Sequence, residues 1–430
     1  MNAVCVKECA VLRRFVAVVV LGFAALLTVL SGQASAEGEQ IIGTLQTGRS
    51  GPIEGVTITV ETTGGDEVGT DQTDSDGRFA IELPDGAGDY VVTLDADDLP
   101  DGVILREGGA ERRITVGANR TQPVAFGIGD GSLRQASANI EILQRTLEGI
   151  RFGLLIAMAA VGLSLIFGTT GLVNFAHGEL VAIGAVIAWF LNVDAGIPLI
   201  PATVAAIALG AVVGAINELG LWRPLRNRGT GLVAMLVISI GLSLALRYVL
   251  QIVFGGRARA YVSFQGQSAT SYGVIRITDK DLFSIALSLA VLILVALMLQ
   301  KTKVGKAMRA VADNRDLASS SGINVDRVIL FVWMLGGALA TLGGVLFGLS
   351  DQVSWDMGFQ LLLLMFAGVV LGGLGTAYGA LVGSLIVGIF VQVSTIVIPD
   401  ETKYVGGLLL LIVILVVRPS GILGARARIG

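Results

Sequence analysis

Asn174, His177 and Glu179 lie within six residues of one another in the run Gly171-Leu-Val-Asn174-Phe-Ala-His177-Gly178-Glu179, between two apolar stretches, Phe152 to Phe167 and Leu180 to Leu191. A carboxamide, an imidazole and a carboxylate supply both hydrogen-bond donors and acceptors. At membrane depth such groups are tolerated only where protein or a water-filled cavity satisfies them, so an interrupted apolar run points to a pathway or a binding site. The chemistry expected here is the handling of a passing solute, with Gly171, Asn174, His177, Gly178 and Glu179 along its path. For His177, the only histidine in the chain, a purely structural role, with both ring nitrogens bonded between helices, is equally compatible with the sequence. Glu179 could likewise cap the helix that follows, because an acid in the first turn meets the positive end of the helix dipole. A lone histidine without a cluster of ligands does not make a metal site.

A second glycine-rich break is related to the first. Gly171-Leu172 with Gly178-Glu179-Leu180-Val181 recurs loosely as Gly373-Leu374 with Gly379-Ala380-Leu381-Val382. Corresponding breaks in the two halves of a transporter are where a midplane site is expected, which adds Gly373 and Gly375 to the candidate path.

The elements that must position these residues are apolar spans. Mean hydropathy is +0.77, and the chain is 53% hydrophobic and 15% charged with 58 glycines, a composition suited to close helix packing in lipid. Nine spans are expected, near 151–168, 178–192, 199–219, 231–254, 281–299, 327–349, 359–376, 379–397 and 404–418. Several fall short of the ~20 residues that a straight crossing needs, so the count is eight to ten. The fold class is thus a polytopic α-helical membrane bundle, occupying 151–430.

Before the bundle the pattern changes. Lys7, Arg13 and Arg14 precede an apolar run from Phe15 to Leu30 and then Ala34-Ser35-Ala36, which reads as a signal peptide over 1–36. Both cysteines, Cys5 and Cys9, lie before that cut, so a cleaved chain has no thiol for disulfides or metal. Residues 37–130 carry 19 acids against 6 bases, while 131–430 carry 14 acids against 21 bases. Nothing in this balance suggests nucleic acid. Within 37–130, seven alternating segments (Ile41 to Gln46, Val56 to Glu61, Val68 to Gln72, Phe79 to Leu83, Tyr90 to Leu94, Glu111 to Val116 and Pro123 to Phe126) predict an all-β antiparallel sandwich outside the cell membrane. The acids of Asp71, Asp74 and Asp76 lack the alternating spacing of a calcium loop and read as a hairpin turn. Residues 131–150 form a linker.

Loop charges orient the bundle. With the sandwich outside, the inward loops contain Arg223, Arg226 and Arg228, then Lys301, Lys303, Lys306, Arg309 and Arg315, then Arg418, Arg426 and Arg428, as the positive-inside rule requires. The loop 255–280 is an exception, with Arg257, Arg259, Arg276 and Lys280 on the outside. Lys303 to Val325 is too polar to span. Good helix formers run from Lys306 to Ala318, and Gly322 marks a helix end, giving an amphipathic helix able to face a soluble partner. Arg247, in an otherwise apolar span, either snorkels to the outer interface or pairs within the bundle.

Four separated segments together resemble the permeases of branched-chain amino acid ABC importers: Asn174-Phe-Ala-His177-Gly-Glu179, the Arg223-Pro224-Leu225-Arg226 loop, Gly305-Lys-Ala-Met-Arg309-Ala with Gly322-Ile-Asn324, and Val370-Leu-Gly372-Gly373-Leu-Gly375 with Arg418-Pro419-Ser-Gly421. The resemblance covers 145–424, and the Asn-Phe-Ala-His-Gly-Glu form is similar to the LivH-type subunit. It implies a second, LivM-type permease subunit, two ABC ATPase subunits and an extracytoplasmic substrate-binding protein as partners, with membrane lipid around the spans. It also implies ATPase coupling through Gly305, Arg309, Ala312, Asp313, Asn314 and Gly322. The run Gly51-Pro-Ile-Glu-Gly55, Thr73-Asp-Ser-Asp76-Gly77 and Pro84 to Val91 resembles carboxypeptidase regulatory-like domains, which typical members of the permease family lack. No catalytic residue, cofactor or phosphate loop of the G-x-x-x-x-G-K-[ST] type is found, so the chain itself is expected not to be an enzyme and ATP hydrolysis falls to other polypeptides. The expected substrates are branched-chain or other aliphatic amino acids, with urea or short amides as the alternative. A secondary transporter driven by an ion gradient and an envelope sensor are the remaining readings.

Overall fold

The computed structural model describes residues 40–47, 51–84, 86, 88–100, 103–105, 110–116, 121–124, 126, 128–130, 138–262, 264, 269–272, 274–398, 402–417 and 421–422. The expected signal peptide with Cys5 and Cys9, most of the linker, and Arg418, Arg426 and Arg428 lie outside the described residues. The chain divides into two compact units, one built from helices and one from strands.

The strand unit is a sandwich. Its strands are β1 (Gln40–Thr44), β2 (Gln46–Thr47), β3 (Gly51–Pro52), β4 (Thr57–Thr62), β5 (Glu67–Gln72), β6 (Arg78–Glu82), β7 (Gly88–Leu94), β8 (Val103–Leu105), β9 (Glu111–Val116), β10 (Thr121–Val124) and β11 (Ile128–Asp130), with a hairpin of β12 (Thr270–Tyr272) and β13 (Ile275–Ile277) assigned to the same unit. Period-two alternation creates the apolar faces: Phe79 and Ile81 of β6 are buried while Arg78, Ala80 and Glu82 are exposed. A four-stranded sheet in the order β5-β4-β7-β9 and a three-stranded sheet in the order β10-β1-β6 share one core, in which Ile41, Phe79 and Ile81 meet Ile58, Val60, Tyr90 and Val92. The expectation of a wholly antiparallel sandwich needs one correction: β1 pairs with β10 in parallel. The acidic turn is built as the spacing suggests, with the Asp74 carboxylate accepting from the backbone N–H of Asp76 at 2.9 Å and of Arg78 at 2.8 Å.

The helical unit contains α1 (Ala138–Thr170), α2 (His177–Trp189), α3 (Leu199–Asn217), the short α4 (Arg223–Asn227), α5 (Leu232–Phe254), α6 (Asp279–Lys301), α7 (Lys303–Asp313), α8 (Arg315–Ser320), α9 (Val325–Asp351), α10 (Met357–Gly372), α11 (Ala377–Ser394) and α12 (Lys403–Val417). Single π turns extend α2 and α3 at Phe190–Asp194 and Glu218–Trp222. Among the described residues, seven helical segments are long and apolar enough to cross a membrane, and Met357–Gly372 and Lys403–Val416 are shorter apolar helices. These nine coincide with the nine expected spans. Packing relies on glycine: ideal Cβ atoms on Gly178 and Gly358 would come within 2.9 and 2.7 Å of each other's carbonyl carbons, so α2 and α10 cross backbone to backbone. At the end of the bundle near α4, the indoles of Trp222 and Trp333 stack at 5.9 Å, both fully buried, and Arg226 pairs with the buried Glu218.

Candidate functional site

The polar run forms a break in which the chain doubles back. α1 ends at Thr170, Gly171 takes φ +70°, and residues 172–176 are unwound before α2 starts at His177. That positive φ is natural only for glycine. His177 Nε2 then lies 3.0 Å from the carbonyl of Ala159, 11 residues back along α1, which is about 16 Å at 1.5 Å per residue. The unwound segment therefore climbs beside α1. It climbs beside α5 as well: Gly171 sits against Leu232, Phe175 donates its N–H to Ser239 Oγ at 3.1 Å, and Glu179 Oε1 accepts from Ser243 Oγ at 3.1 Å. Since α5 runs from Leu232 to Phe254, Glu179 faces its midpoint.

This answers where the freed backbone groups go. Ser239 accepts from Phe175 and donates to the Leu236 carbonyl at 2.7 Å, Asn174 Oδ1 accepts from the N–H of Ala176 at 3.0 Å, and Asn174's carbonyl accepts from that of His177 at 3.3 Å. Asn174 is thus the residue that turns the chain into α2. A carbonyl only accepts, so the proton of the His177 ring sits on Nε2, and Nδ1 is buried without a hydrogen-bond partner. Gly178 is a packing residue against Gly358.

Glu179 is fully buried and paired. Arg247 Nε lies 3.5 Å from its Oε1, and the guanidinium carbon of Arg247 sits 3.7 Å above the centre of the Phe359 ring. Both groups keep unused capacity, because Glu179 Oε2 and Arg247 Nη2 have no hydrogen-bond partner. Of the two roles open to Arg247, pairing within the bundle is the one adopted. Ser239, Ser243 and Arg247 were not among the expected path residues, yet their spacing of four in an apolar span is a sequence signal for one polar helix stripe facing another polar element.

The second break is differently built. Gly373 and Gly375 have φ +109° and +83°, Thr376 Oγ1 donates to the Gly373 carbonyl at 2.9 Å, and Ser164 Oγ of α1 donates to that of Thr376 at 3.1 Å. An ideal Cβ on Gly168 would stand 3.0 Å from Gly375 O. This break is pinned to the same end of α1 as the first, and the helix after it buries the polar residues Ser384 and Gln392 but no charged one.

The segment expected to be one helix from Lys306 to Ala318 is two. Asn314 adopts an extended conformation, φ −159° and ψ 111°, and its side chain accepts from Leu317 N–H to cap α8. A local side-chain cap competing with helix continuation is the physical reason for the break. Gly305, Met308 and Val311 of α7 face inward, Gly305 so tightly that a Cβ would strike carbonyls at the end of α6. Ala312, Asp313, Asn314 and Leu317 face outward, Leu317 being 66% exposed. Arg309 donates to the Leu299 carbonyl at 2.7 Å, and Gly322, φ +85°, ends the unit. Arg315 reaches across to donate from Nε to the Thr169 carbonyl at 2.8 Å, two residues before the Gly171 hinge. Burial lowers the pKa of Arg315 from the usual arginine value, with Arg226 nearby acting in the same direction.

Residues 145–417 match the family described as branched-chain amino acid transport system / permease component. The chain belongs to this family. The permease is 34% identical over 296 residues to the high-affinity branched-chain amino acid transport system permease protein LivH of Escherichia coli K12, which covers 66% of this chain and 95% of that one. It is 30% identical over 297 residues to the permease protein BraD of Pseudomonas aeruginosa, with the same coverage. A ribose import permease of Escherichia coli, RbsC, is 29% identical over 244 residues, covering 54% of this chain and 72% of the relative. No solved structure matches the chain. The matched region begins in α1 and ends with α12, so it contains both breaks, α7 and α8, and excludes the strand sandwich. The permease is a multi-pass membrane protein.

Proposed function

We propose that this permease is the LivH-type subunit of an ABC importer for branched-chain or other aliphatic amino acids. It pairs with a LivM-type subunit, is driven by two cytoplasmic ABC ATPases, and receives substrate from an extracytoplasmic binding protein. The observation that carries this reading is the match across 145–417 to branched-chain amino acid permeases, over a region that holds a polar break beside α5 and an outward-facing helix pair. Substrate passes along the face formed by Asn174, His177, Glu179 and the Gly373–Gly375 turn when the partner permease is present. Gly171 and Gly178 are the hinge and the packing contact that let that face form.

α7 and α8 dock the ATPase through Ala312, Asp313, Asn314 and Leu317, while Gly305, Arg309 and Gly322 shape the pair. Arg315 relays its movement to the carbonyl end of α1. The sandwich stands on the outer side of the membrane as an accessory module similar to carboxypeptidase regulatory-like domains. Its anionic face suits a spacer or docking role, and nothing in its turn chemistry calls for catalysis.

The test is purification in mild detergent followed by reconstitution into proteoliposomes. ATPase subunits should copurify, and uptake of leucine should require ATP inside the vesicle and binding protein outside. Uptake that persists without ATP under an ion gradient would establish a secondary transporter instead. Uptake of urea or ribose in place of leucine would reassign the substrate.

A further inference from the structure

A cavity of about 330 Å³ opens at the end of the bundle opposite α7 and α8. Its wall comes from the last residues of α9, the first turn of α10 and the first residues of α12: Phe347, Asp351, Gln352, Gln360, Lys403 and Tyr404. The size lies at the small end of the range for sites that hold small molecules. Opposite charges flank it, since Lys403 Nζ stands 3.7 Å from Asp351 Oδ2 and lies over the Tyr404 ring at 5.6 Å. Lys403 is largely covered, with 18% of its side chain exposed, whereas Asp351 keeps 50%. Phe347 is buried at the cavity wall and supplies an apolar surface.

A third observation is conformational. Gln352 has φ 72° and ψ 157°, a region that essentially only glycine occupies. The residue ends α9, and its neighbour Val353 is held by two backbone bonds of 2.8 Å to Arg259. Strain of this kind persists where the surroundings enforce it, and here it sets a polar side chain in the wall of the cavity. The position also connects with the buried pair: Gln360 in the cavity wall is held by Asp356 at 2.8 Å, while the preceding residue, Phe359, carries the guanidinium of Arg247 on its ring.

We propose that this cavity is a permease-borne site for a zwitterionic α-amino acid, with Asp351 receiving the α-ammonium, Lys403 the α-carboxylate, and Phe347 and Tyr404 the aliphatic side chain. The inference rests on the amino-acid reading given above. The Asp351–Lys403 pair has the two charges a zwitterion needs, and each charge-assisted contact it exchanges is replaced by one of the same kind. Sugars and urea carry neither charge, so they can offer the pair hydrogen bonds but no opposite charge for Asp351 or Lys403. Phe359, the neighbour of the cavity residue Gln360, carries Arg247, and the unused Nη2 of Arg247 and Oε2 of Glu179 offer the same two kinds of contact.

Ser354 lines the cavity and gives the probe. In the complete permease–ATPase complex, with Cys5 and Cys9 replaced by serine, Ser354→Cys is labelled by a maleimide in the presence of leucine, 4-methylpentanoate or 3-methylbutylamine. Leucine should protect at a concentration roughly tenfold below either analogue, the equivalent of one charge-assisted hydrogen bond. Asp351→Asn should abolish the preference over 4-methylpentanoate, and Lys403→Gln the preference over 3-methylbutylamine. Gln352→Gly relieves the strained backbone, so it should leave thermal stability intact or raised while weakening protection by leucine, which keeps loss of binding separate from loss of fold. Absence of leucine protection, or variants that retain the wild-type preferences, overturns the site. If the same complex, reconstituted into proteoliposomes with its binding protein, still takes up leucine with ATP, the cavity proposal alone falls; if uptake is absent too, the amino-acid reading falls with it.

Discussion

Replacing Arg247 with methionine tests whether the polar break is held by its buried ion pair. Glu179 is 0% exposed, one carboxylate oxygen is shared between Ser243 and Arg247, and the other has no partner. Methionine keeps much of the volume over Phe359 but removes the only cation paired with Glu179 among the described residues, which strands a charge at low dielectric. Breaking a buried pair from one side costs about 3 to 5 kcal/mol. Removing both charges together, as Glu179→Leu with Arg247→Met, is often close to neutral, since two desolvation penalties vanish with the attraction. The expected double-mutant cycle thus has a destabilised Arg247→Met single mutant, a milder Glu179→Leu single mutant and a double mutant recovering most of the loss. Unfolding in mixed micelles with increasing sodium dodecyl sulfate, followed by tryptophan fluorescence, reads the free energies. A coupling energy within about 0.5 kcal/mol of zero, the error of additivity for independent sites, would show that the pair does not hold the break and refute the reasoning.

Other substitutions address separate contacts. Gly178→Val should disrupt the crossing of α2 with α10 by about 1 to 3 kcal/mol, seen as a lower melting temperature of the detergent-solubilised chain, because Gly358 offers only backbone to yield. Asn314→Ala removes the cap of α8 at about 1 kcal/mol, too little to unfold the bundle; it should reduce leucine transported per ATP hydrolysed, and an unchanged ratio would exclude α8 from coupling. Cysteines at Ser75 and Ser320, both exposed, should be labelled from opposite sides of the membrane by an impermeant maleimide; labelling of both in intact cells would overturn the orientation. His177→Gln retains a donor for the Ala159 carbonyl, so stability should hold. If the ring contacts solute, the rate of uptake then changes; a wild-type rate would leave His177 a structural residue.

The bundle was legible in the sequence because membrane spans write themselves as long apolar runs, whatever they pack against. The break was legible too, since Asn174, His177 and Glu179 are expensive at that depth. What the sequence withheld was the partner surface of each polar residue. Arg247 has no local signal for whether it snorkels or turns inward; that is decided by Phe359, more than 100 residues away, and by the path of an unwound segment set by the Gly171 hinge. The helix break at Asn314 falls in Asp313-Asn314-Arg315-Asp316, where three weak helix formers sit inside a run of stronger ones and one side-chain cap decides the local geometry. In the strand unit, β1 and β10 are separated by about 80 residues, so their parallel pairing leaves no trace in either segment's alternation.

The glycine pattern ties these observations together. A repeated motif suggested two equivalent breaks, yet only the first is followed by a polar stripe on a neighbouring helix, Ser239, Ser243 and Arg247. The second is fastened by backbone and hydroxyl contacts to α1, through Ser164, Thr376 and the close approach of Gly168 to Gly375. Glycines alone mark where helices come close or the chain turns; the charged and hydroxyl residues opposite them determine whether the turn can meet a solute. By that criterion the two breaks differ in charge: Glu179 and Arg247 meet at the first, whereas the second has only the hydroxyls of Ser164 and Thr376. The first carries the polar contacts, and the second anchors the end of α1 against which the Arg315 contact from α8 acts. Thr169, whose carbonyl accepts from Arg315 Nε, lies two residues before the Gly171 hinge, so the helix pair touches the chain next to the segment that holds His177 and Glu179.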